Sequence, residues 1–415
     1  MKLLLILVVA SVGFAIADDD AEEKVWTEDE VEALKASVTS DVYATVPELI
    51  AQNGYTAEIH YVTTEDGYIL QMHRIPATPT SPASDDKPVV LLMHALLGSA
   101  ADWVIMGPEK GFAYILADAG YDVWLGNARG TKYSRNHTTL TDFTGPDFWY
   151  FDWHEIGYYD QPAMIDYALE VTGQEKVIFI GHSQGTTTFY VMASLRPEYN
   201  DKIKVMFSLA PIAYVSHCKS VLLQFVDQFE YGLSHLLKLI GAYEFLPNGS
   251  FLTKIGSVYC NEDALTRYLC SNVLFLITGF DISNLNQTML SAIFGHTPAG
   301  ASTRQILHYA QLIRSGKFGY YDQDWISNLF NYGSIEAPDY NLTAVTAPVH
   351  VFYSTNDYFS AVEDVEKHYT ELGNPIEMYR VPYKKWNHVD YLWGITAKEF
   401  VYDPVISRIK ANYSD

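Results

Sequence analysis

Cysteine is scarce: three residues in a chain of 415 are too few for a disulfide scaffold, so the fold must rest on a hydrophobic core. A chain of this length that is 48% apolar can build one. Basic residues are scarce as well. With 27 Lys and Arg against 50 Asp and Glu, the formal net charge is -23; phosphate backbones would be repelled, and nucleic acid is excluded as a partner. The same excess of carboxylates suits a chain that works where acid protonates part of it. Long apolar runs are also missing. Past the N-terminus nothing approaches the roughly 20 residues that a membrane-spanning helix needs, so no transmembrane anchor is expected.

The N-terminal run, Leu3 to Ile16, follows Lys2 and ends in Ala15-Ile16-Ala17 before Asp18-Asp19-Asp20. This is the pattern of a signal peptide, residues 1–17, cut after Ala17. Sequons at Asn136, Asn248, Asn286, Asn341 and Asn412 fit passage through a glycosylating compartment. Residues 18–45 begin as an acidic segment and read as a mobile or removable pro-region. Cys260 and Cys270 lie close enough in sequence to close a small loop in an oxidising compartment, whereas Cys218 reads as a small buried apolar side chain.

Apolar and β-branched runs bounded by turn residues predict eight strands, at 57–62, 68–75, 88–94, 121–125, 176–180, 203–209, 348–354 and 376–381. Most are followed by helical pattern. In 160–169, for example, Asp160 reads as a cap, Pro162 falls in the first turn, apolar positions recur at helical spacing, and Gly173 stops the helix. Strands alternating with helices imply an α/β fold with a mostly parallel sheet covered on both faces. The alternation breaks in 213–338, where Leu222, Phe225, Phe229, Leu233, Leu236, Leu237 and Ile240 keep helical spacing and no strand run is clear. A helical insertion between the sixth and seventh strands emerges where parallel strands end, and so forms a cap over the site. The core is then expected in two parts, 46–212 and 339–415.

The chemistry centres on Gly181-His182-Ser183-Gln184-Gly185, set between an apolar strand and a helical run. This is the context of a nucleophile elbow, in which two glycines permit a turn that thrusts the serine outward. A serine hydroxyl is a weak nucleophile, so an imidazole must take its proton and an anion must hold that imidazole. In the order Ser, Asp, His, these are Asp357, just past the strand 348–354, and His388, in the loop after the last strand. Asp364 and His368 fall inside a helical pattern and read as solvated helix-face residues. His182 is expected to point away from the elbow, and Asp390 to give at most a supporting hydrogen bond. The oxyanion hole requires two backbone N–H groups, one from Gln184 and one from Leu96 in the loop His94-Ala95-Leu96-Leu97-Gly98.

These residues, with Thr64 to Leu70, Ala117 to Asn127, Cys270-Ser271-Asn272, Gly279-Phe280-Asp281 and Asn387 to Tyr391, resemble the acid lipase family, which includes gastric, lysosomal and insect lipases. The resemblance spans most of the chain after the signal peptide. It implies an α/β-hydrolase core, here of the eight strands read above, with a helical cap and lid, acting on triacylglycerols or cholesteryl esters at a lipid interface, with no metal and no organic cofactor. It also implies a secreted (extracellular or gut lumen) or lysosomal protein. It places Ser183, Asp357 and His388 in the triad, Leu96 and Gln184 in the oxyanion hole, and Cys260 and Cys270 in a disulfide with one residue more between them than in the family. Ala95 departs from the family glycine after the histidine, and Thr278 stands where a further family cysteine falls. The rival readings are an esterase of short soluble esters and a catalytically silent lipid carrier of the same shape.

Overall fold

The computed structural model describes residues 40–246, 260 and 267–413. The predicted signal peptide, most of the acidic N-terminal segment and Asn248 lie outside them. A central sheet runs in the order β1 (Glu58–Thr63), β2 (Tyr68–Ile75), β4 (Asp122–Leu125), β3 (Val89–Met93), β6 (Val177–His182), β7 (Ile203–Leu209), β10 (Val349–Tyr353), β11 (Pro375–Arg380). From β4 to β11 every pairing is parallel, while β1 and β2 form an antiparallel edge. All eight expected strands are present, with ends shifted by a residue or two.

The sequence pattern explains the layering. β3, β4 and β6 are buried along their whole length, as strands covered on both faces must be, and apart from Asp122 and His182 at strand ends they read as apolar runs. Their side chains alternate between two cores. Leu91, Met93 and Phe179 join one, and Val90, Leu92, Ile178 and Ile180 join the other. The edge strand β1 instead alternates between half-buried and exposed positions.

Three local expectations fail, each for a physical reason. Asp160 does not cap a helix. The helix starts earlier, at Trp153, where the Asp152 side chain accepts from His154 N and Glu155 completes a capping box; it then passes through a π-helical turn, Ile156–Asp160, into Gln161–Thr172. Asp160 is thereby turned toward Arg129 and accepts from its backbone N at 2.9 Å and its Nε at 2.8 Å. Gly173, at φ 69°, does end the helix as expected. Asp364 and His368 are not solvated: both face inward from the helix Val362–Glu371, in line with Val365. Finally, the stretch between β7 and β10 holds strand as well as helix. There a two-stranded ribbon pairs β8 (Glu244–Phe245) with β9 (Ala301–Ser302); outside that stretch, between β4 and β6, β5 (Asn136–His137) pairs with β2. Two-residue strands leave no periodicity to read.

That stretch otherwise carries the helices Val221–Leu239, Arg267–Thr278, Leu290–His296, Thr303–Ser315 and Trp325–Tyr332. Cys260 and Cys270 are joined by a disulfide, and Cys218 is free and buried. Of the sequons, Asn136, Asn341 and Asn412 are exposed and Asn286 is half-buried.

Candidate active site

Ser183 stands at the turn between β6 and the helix Gln184–Leu195, with φ 52° and ψ -118°. This is strained backbone for a residue with a Cβ, and the strain persists because the surrounding packing determines it. A Cβ on Gly185 would run into the Met93 carbonyl oxygen, and one on Gly181 would meet the Gly185 carbonyl at 2.8 Å. The same close approach sets Gln184 beside the loop that follows β3. As the first helical residue, Gln184 has an N–H with no acceptor inside the helix.

Parallel strands deliver the partners to the same edge of the sheet. Asp357 follows β10 and His388 follows β11. His388 Nδ1 lies 2.9 and 2.8 Å from the two Asp357 oxygens, and its Nε2 lies 2.7 Å from Ser183 Oγ. A proton on Nδ1 donates to the carboxylate, which leaves Nε2 to accept from the serine hydroxyl. All three side chains are buried. Asp357 Oδ1 also accepts from Phe359 N at 2.8 Å and Ser360 N at 2.9 Å, and the Phe359 ring covers the imidazole at 4.7 Å.

The loop carrying His388 is tied down at several atoms. His388 N donates to Thr278 O at 3.2 Å, and Asn387 Nδ2 donates to Gly279 O at 3.0 Å. Gly279 has φ 116°, and a Cβ there would strike the Asn356 carbonyl oxygen, so this approach requires glycine. His182 turns its Nε2 to the His388 carbonyl at 2.8 Å. Burial, with the neighbouring His388 ring, drives His182 well below the usual imidazole range and keeps it neutral. Asp390 accepts from Asn387 N at 2.7 Å, which is the supporting bond expected of it.

The loop after β3 is held by a second neutral histidine. His94 Nδ1 lies 2.7 Å from Ala95 O, and its Nε2 accepts from Ala128 N at 3.1 Å; burial pushes its pKa down to about 4. Gly98 N closes the turn onto Ala95 O at 3.0 Å, and Leu97 takes φ 64°. The loop's other end is fixed by Ala299 N, which donates to Leu97 O at 2.7 Å. Gln184 Nε2 donates to Gln305 Oε1 at 2.7 Å, linking the elbow to the inserted segment. Sequence reasoning missed Phe359 and Gln305, which carry no local signal. Gly279 was visible only within a segment shared with a known family. Among the described residues no group of three or more His, Cys, Asp or Glu side chains is placed to hold a metal ion.

This sheet, elbow and Ser–His–Asp contact define a serine hydrolase of the α/β-hydrolase fold. Comparison with known proteins narrows the class. The chain matches a partial alpha/beta-hydrolase lipase region over residues 46–107 and the alpha/beta hydrolase fold over 88–240. It is 45% identical to Lipase 3 of Drosophila melanogaster over 364 residues, 88% of this chain and 92% of that protein. It is 39% identical to the gastric triacylglycerol lipase of Bos taurus over 369 residues, 87% of this chain and 90% of that one. A putative lipase from Sulfolobus solfataricus shares the fold, with a TM-score of 0.56 at 15% identity over 86% of this chain and 95% of that structure. The chain belongs to the acid lipase family, and it is a lipase.

Proposed function

We propose that the protein hydrolyses triacylglycerols or cholesteryl esters through an acyl-enzyme on Ser183, and that it does so as a secreted or lysosomal enzyme. One observation carries the reading: a single imidazole bridges Ser183 Oγ and the Asp357 carboxylate. Ser183 Oγ attacks the ester carbonyl while His388 Nε2 takes its proton. The negative oxygen that forms is met by the N–H groups of Gln184 and Leu96, a pair whose members are each worth on the order of 2.7 to 4 kcal/mol at the transition state. His388 then passes the proton to the departing alcohol, and water, activated by the same imidazole, releases the acid. Asp357 holds the ring in one tautomer and offsets the imidazolium charge.

The segment 213–338 acts as the cap over this site. In support, Thr278, Gln305 and Tyr309 from it touch the His388 loop, Gln184 and Thr187 respectively. Adsorption to neutral lipid is supported by the helix Trp325–Tyr332, which has no charged residue yet exposes Trp325 (64%) and Phe330 (85%) beside Ile326 and Leu329. No described helix is long and apolar enough to cross a membrane. Glycans on the sequons fit the same route through the cell.

The test is hydrolysis of emulsified long-chain triacylglycerol beside a soluble short-chain ester at pH 5 and pH 7.5. Ser183→Ala is expected to lower the triacylglycerol rate by at least about 10⁴-fold. Cleavage of the short ester alone would make the protein an esterase, and no Ser183-dependent turnover of either would leave a lipid carrier.

A further inference from the structure

Two aspartates beside the His388 loop take no part in the chemistry above. Asp390 and Asp281 are 0% and 1% exposed. Asp390 spends Oδ2 on Asn387 N, at 2.7 Å. Asp281 spends Oδ1 on Ser283 N at 3.2 Å and the Tyr383 hydroxyl at 3.3 Å. The remaining oxygens, Asp281 Oδ2 and Asp390 Oδ1, are buried without a hydrogen bond of ordinary geometry; the two carboxyls face each other, and the Asn284 amide faces Asp390. Two ionised carboxylates cannot hydrogen-bond, because both only accept; one proton between them turns the repulsion into a bond.

We propose that Asp281 and Asp390 share one proton, and that this carboxyl–carboxylate bond locks the His388 loop to the segment Gly279-Phe280-Asp281, making the two aspartates positioning residues that set the alkaline limit of catalysis. The proposal rests on the reading of His388 as the general base. Its leverage comes from the chain path. Asp390 holds Asn387 N; the Asn387 side chain reaches Gly279 O with its Nδ2 and takes the N–H groups of Val389 and Asp390 on its Oδ1. His388 lies inside that knot.

Among the described residues no cation is paired with either carboxyl; the nearest in sequence, Lys384 and Lys385, are exposed. Tyr383 faces Asp281. On the 3-10 turn Ala100–Trp103 that packs against Asp390–Trp393, the titratable side chain is Asp102, which turns to Ser99 N and Thr297. Tyr402, from the C-terminal elements, donates to the Tyr391 carbonyl. Asn284 opposes the shared proton in part, its side-chain amide favouring ionised Asp390 and its backbone N–H favouring ionised Asp281, but burial outweighs both. Of the histidines, His182 turns to the His388 carbonyl and His388 to Asp357 and Ser183. Burial raises both carboxyls above the usual range, Asp390 the more strongly, and the facing Asp281 adds to the rise at Asp390. The folded chain therefore holds this proton more tightly than the unfolded chain does. The stabilisation is complete below the ordinary carboxyl range and is lost as pH rises through the raised native value.

Asparagine reproduces the shape of a protonated aspartate and brings its own N–H donor. The rate at which a soluble alkyl fluorophosphonate labels Ser183 should be measured from pH 5 to pH 9 for the wild type, Asp390→Asn and Asp281→Asn, with melting curves over the same range. The ratio of the labelling rate at pH 9 to that at pH 6 is expected to rise at least about ten-fold in either variant, and the alkaline fall of the melting temperature to become shallower. An alkaline limb and a melting profile that coincide with those of the wild type would overturn the pair. If one variant fails to fold, the other decides. A wild type that takes no label at any pH sinks the catalytic reading instead, and the pair is then judged by the melting profiles alone.

Discussion

Among the described residues, two buried histidine–aspartate pairs look alike from one side and differ on the other. His388 Nδ1 lies 2.8 Å from Asp357 Oδ2, and His308 Nδ1 lies 3.0 Å from Asp152 Oδ1. The difference is what the second ring nitrogen meets. In His388 it meets the Ser183 hydroxyl, held out on a strained turn; in His308 it meets the Gly319 carbonyl at 3.0 Å, with the ring stacked on Trp153 at 3.7 Å. A His–Asp contact is thus no signature of catalysis. One pair leaves a nitrogen free to move a proton, while the other spends one nitrogen holding the inserted segment to Asp152 at a helix start and the second on Gly319 within that segment. Asp152 also takes Arg304 Nε at 3.0 Å. Its carboxyl stays below the usual range although burial opposes this, because His308 and Arg304 outweigh the burial.

The comparison can be broken most sharply at Asp357. Asp357→Asn keeps the shape but presents an amide to Nδ1, favouring the wrong imidazole tautomer, and is expected to lower kcat by about 10⁴-fold with little change in melting temperature. Retention of more than a tenth of the rate would remove Asp357 from the chemistry. His308→Ala should do the reverse. It deletes a stacked ring and two hydrogen bonds, so about 3 kcal/mol of stability should be lost in urea unfolding, while kcat per folded molecule stays within about two-fold. A large fall in kcat without loss of stability would mean that the second pair serves the reaction.

The two pairs also differ in how far the sequence announced them. β6 and β10 are readable as apolar runs and β11 as a mixed one bounded by turn residues, so the places of Ser183, Asp357 and His388 after strand ends could be found without a structure. The distances among them belong to the parallel order of the sheet, which brings residues 183, 357 and 388 to one edge. Nothing comparable marks His308. It lies in the helix Thr303–Ser315 at ordinary spacing, and Asp152 precedes a helix whose start was masked by the competing cap signal at Asp160 and Pro162. Charged side chains on an amphipathic helix were read as solvated, and this failed at Asp364 and His368 because a tertiary partner settles burial. His368 packs its ring 4.3 Å from Tyr190, and burial takes its pKa down to about 3. Backbone devices were legible only where glycine marked them: Gly181, Gly185 and Gly173 could be read, but the positive φ of Leu97 could not.

A third pair tests the argument at its weakest point. His217 Nδ1 lies 2.8 Å from Asp364 Oδ1, and His217 N donates to Asp364 Oδ2, also at 2.8 Å, just before the helix Val221–Leu239 opens the inserted segment. Here the aspartate is buried and the imidazole is 55% exposed. The hydrogen bond to Asp364, and then its charge, raise the pKa of His217, so the protonated ring is favoured in the folded chain. That contribution is complete below the imidazole value of the unfolded chain and is lost as pH rises through the raised native value. Solvent screens most of it, so His217→Gln should cost at most about 0.5 kcal/mol in urea unfolding at pH 5, and less at pH 8. The backbone bond from His217 N survives the substitution, and the Ser183-dependent rate should not change at either pH. If instead the cost grew with pH, Asp364 would be held by the neutral ring, and protonation could not be what fastens this end of the inserted segment to the core.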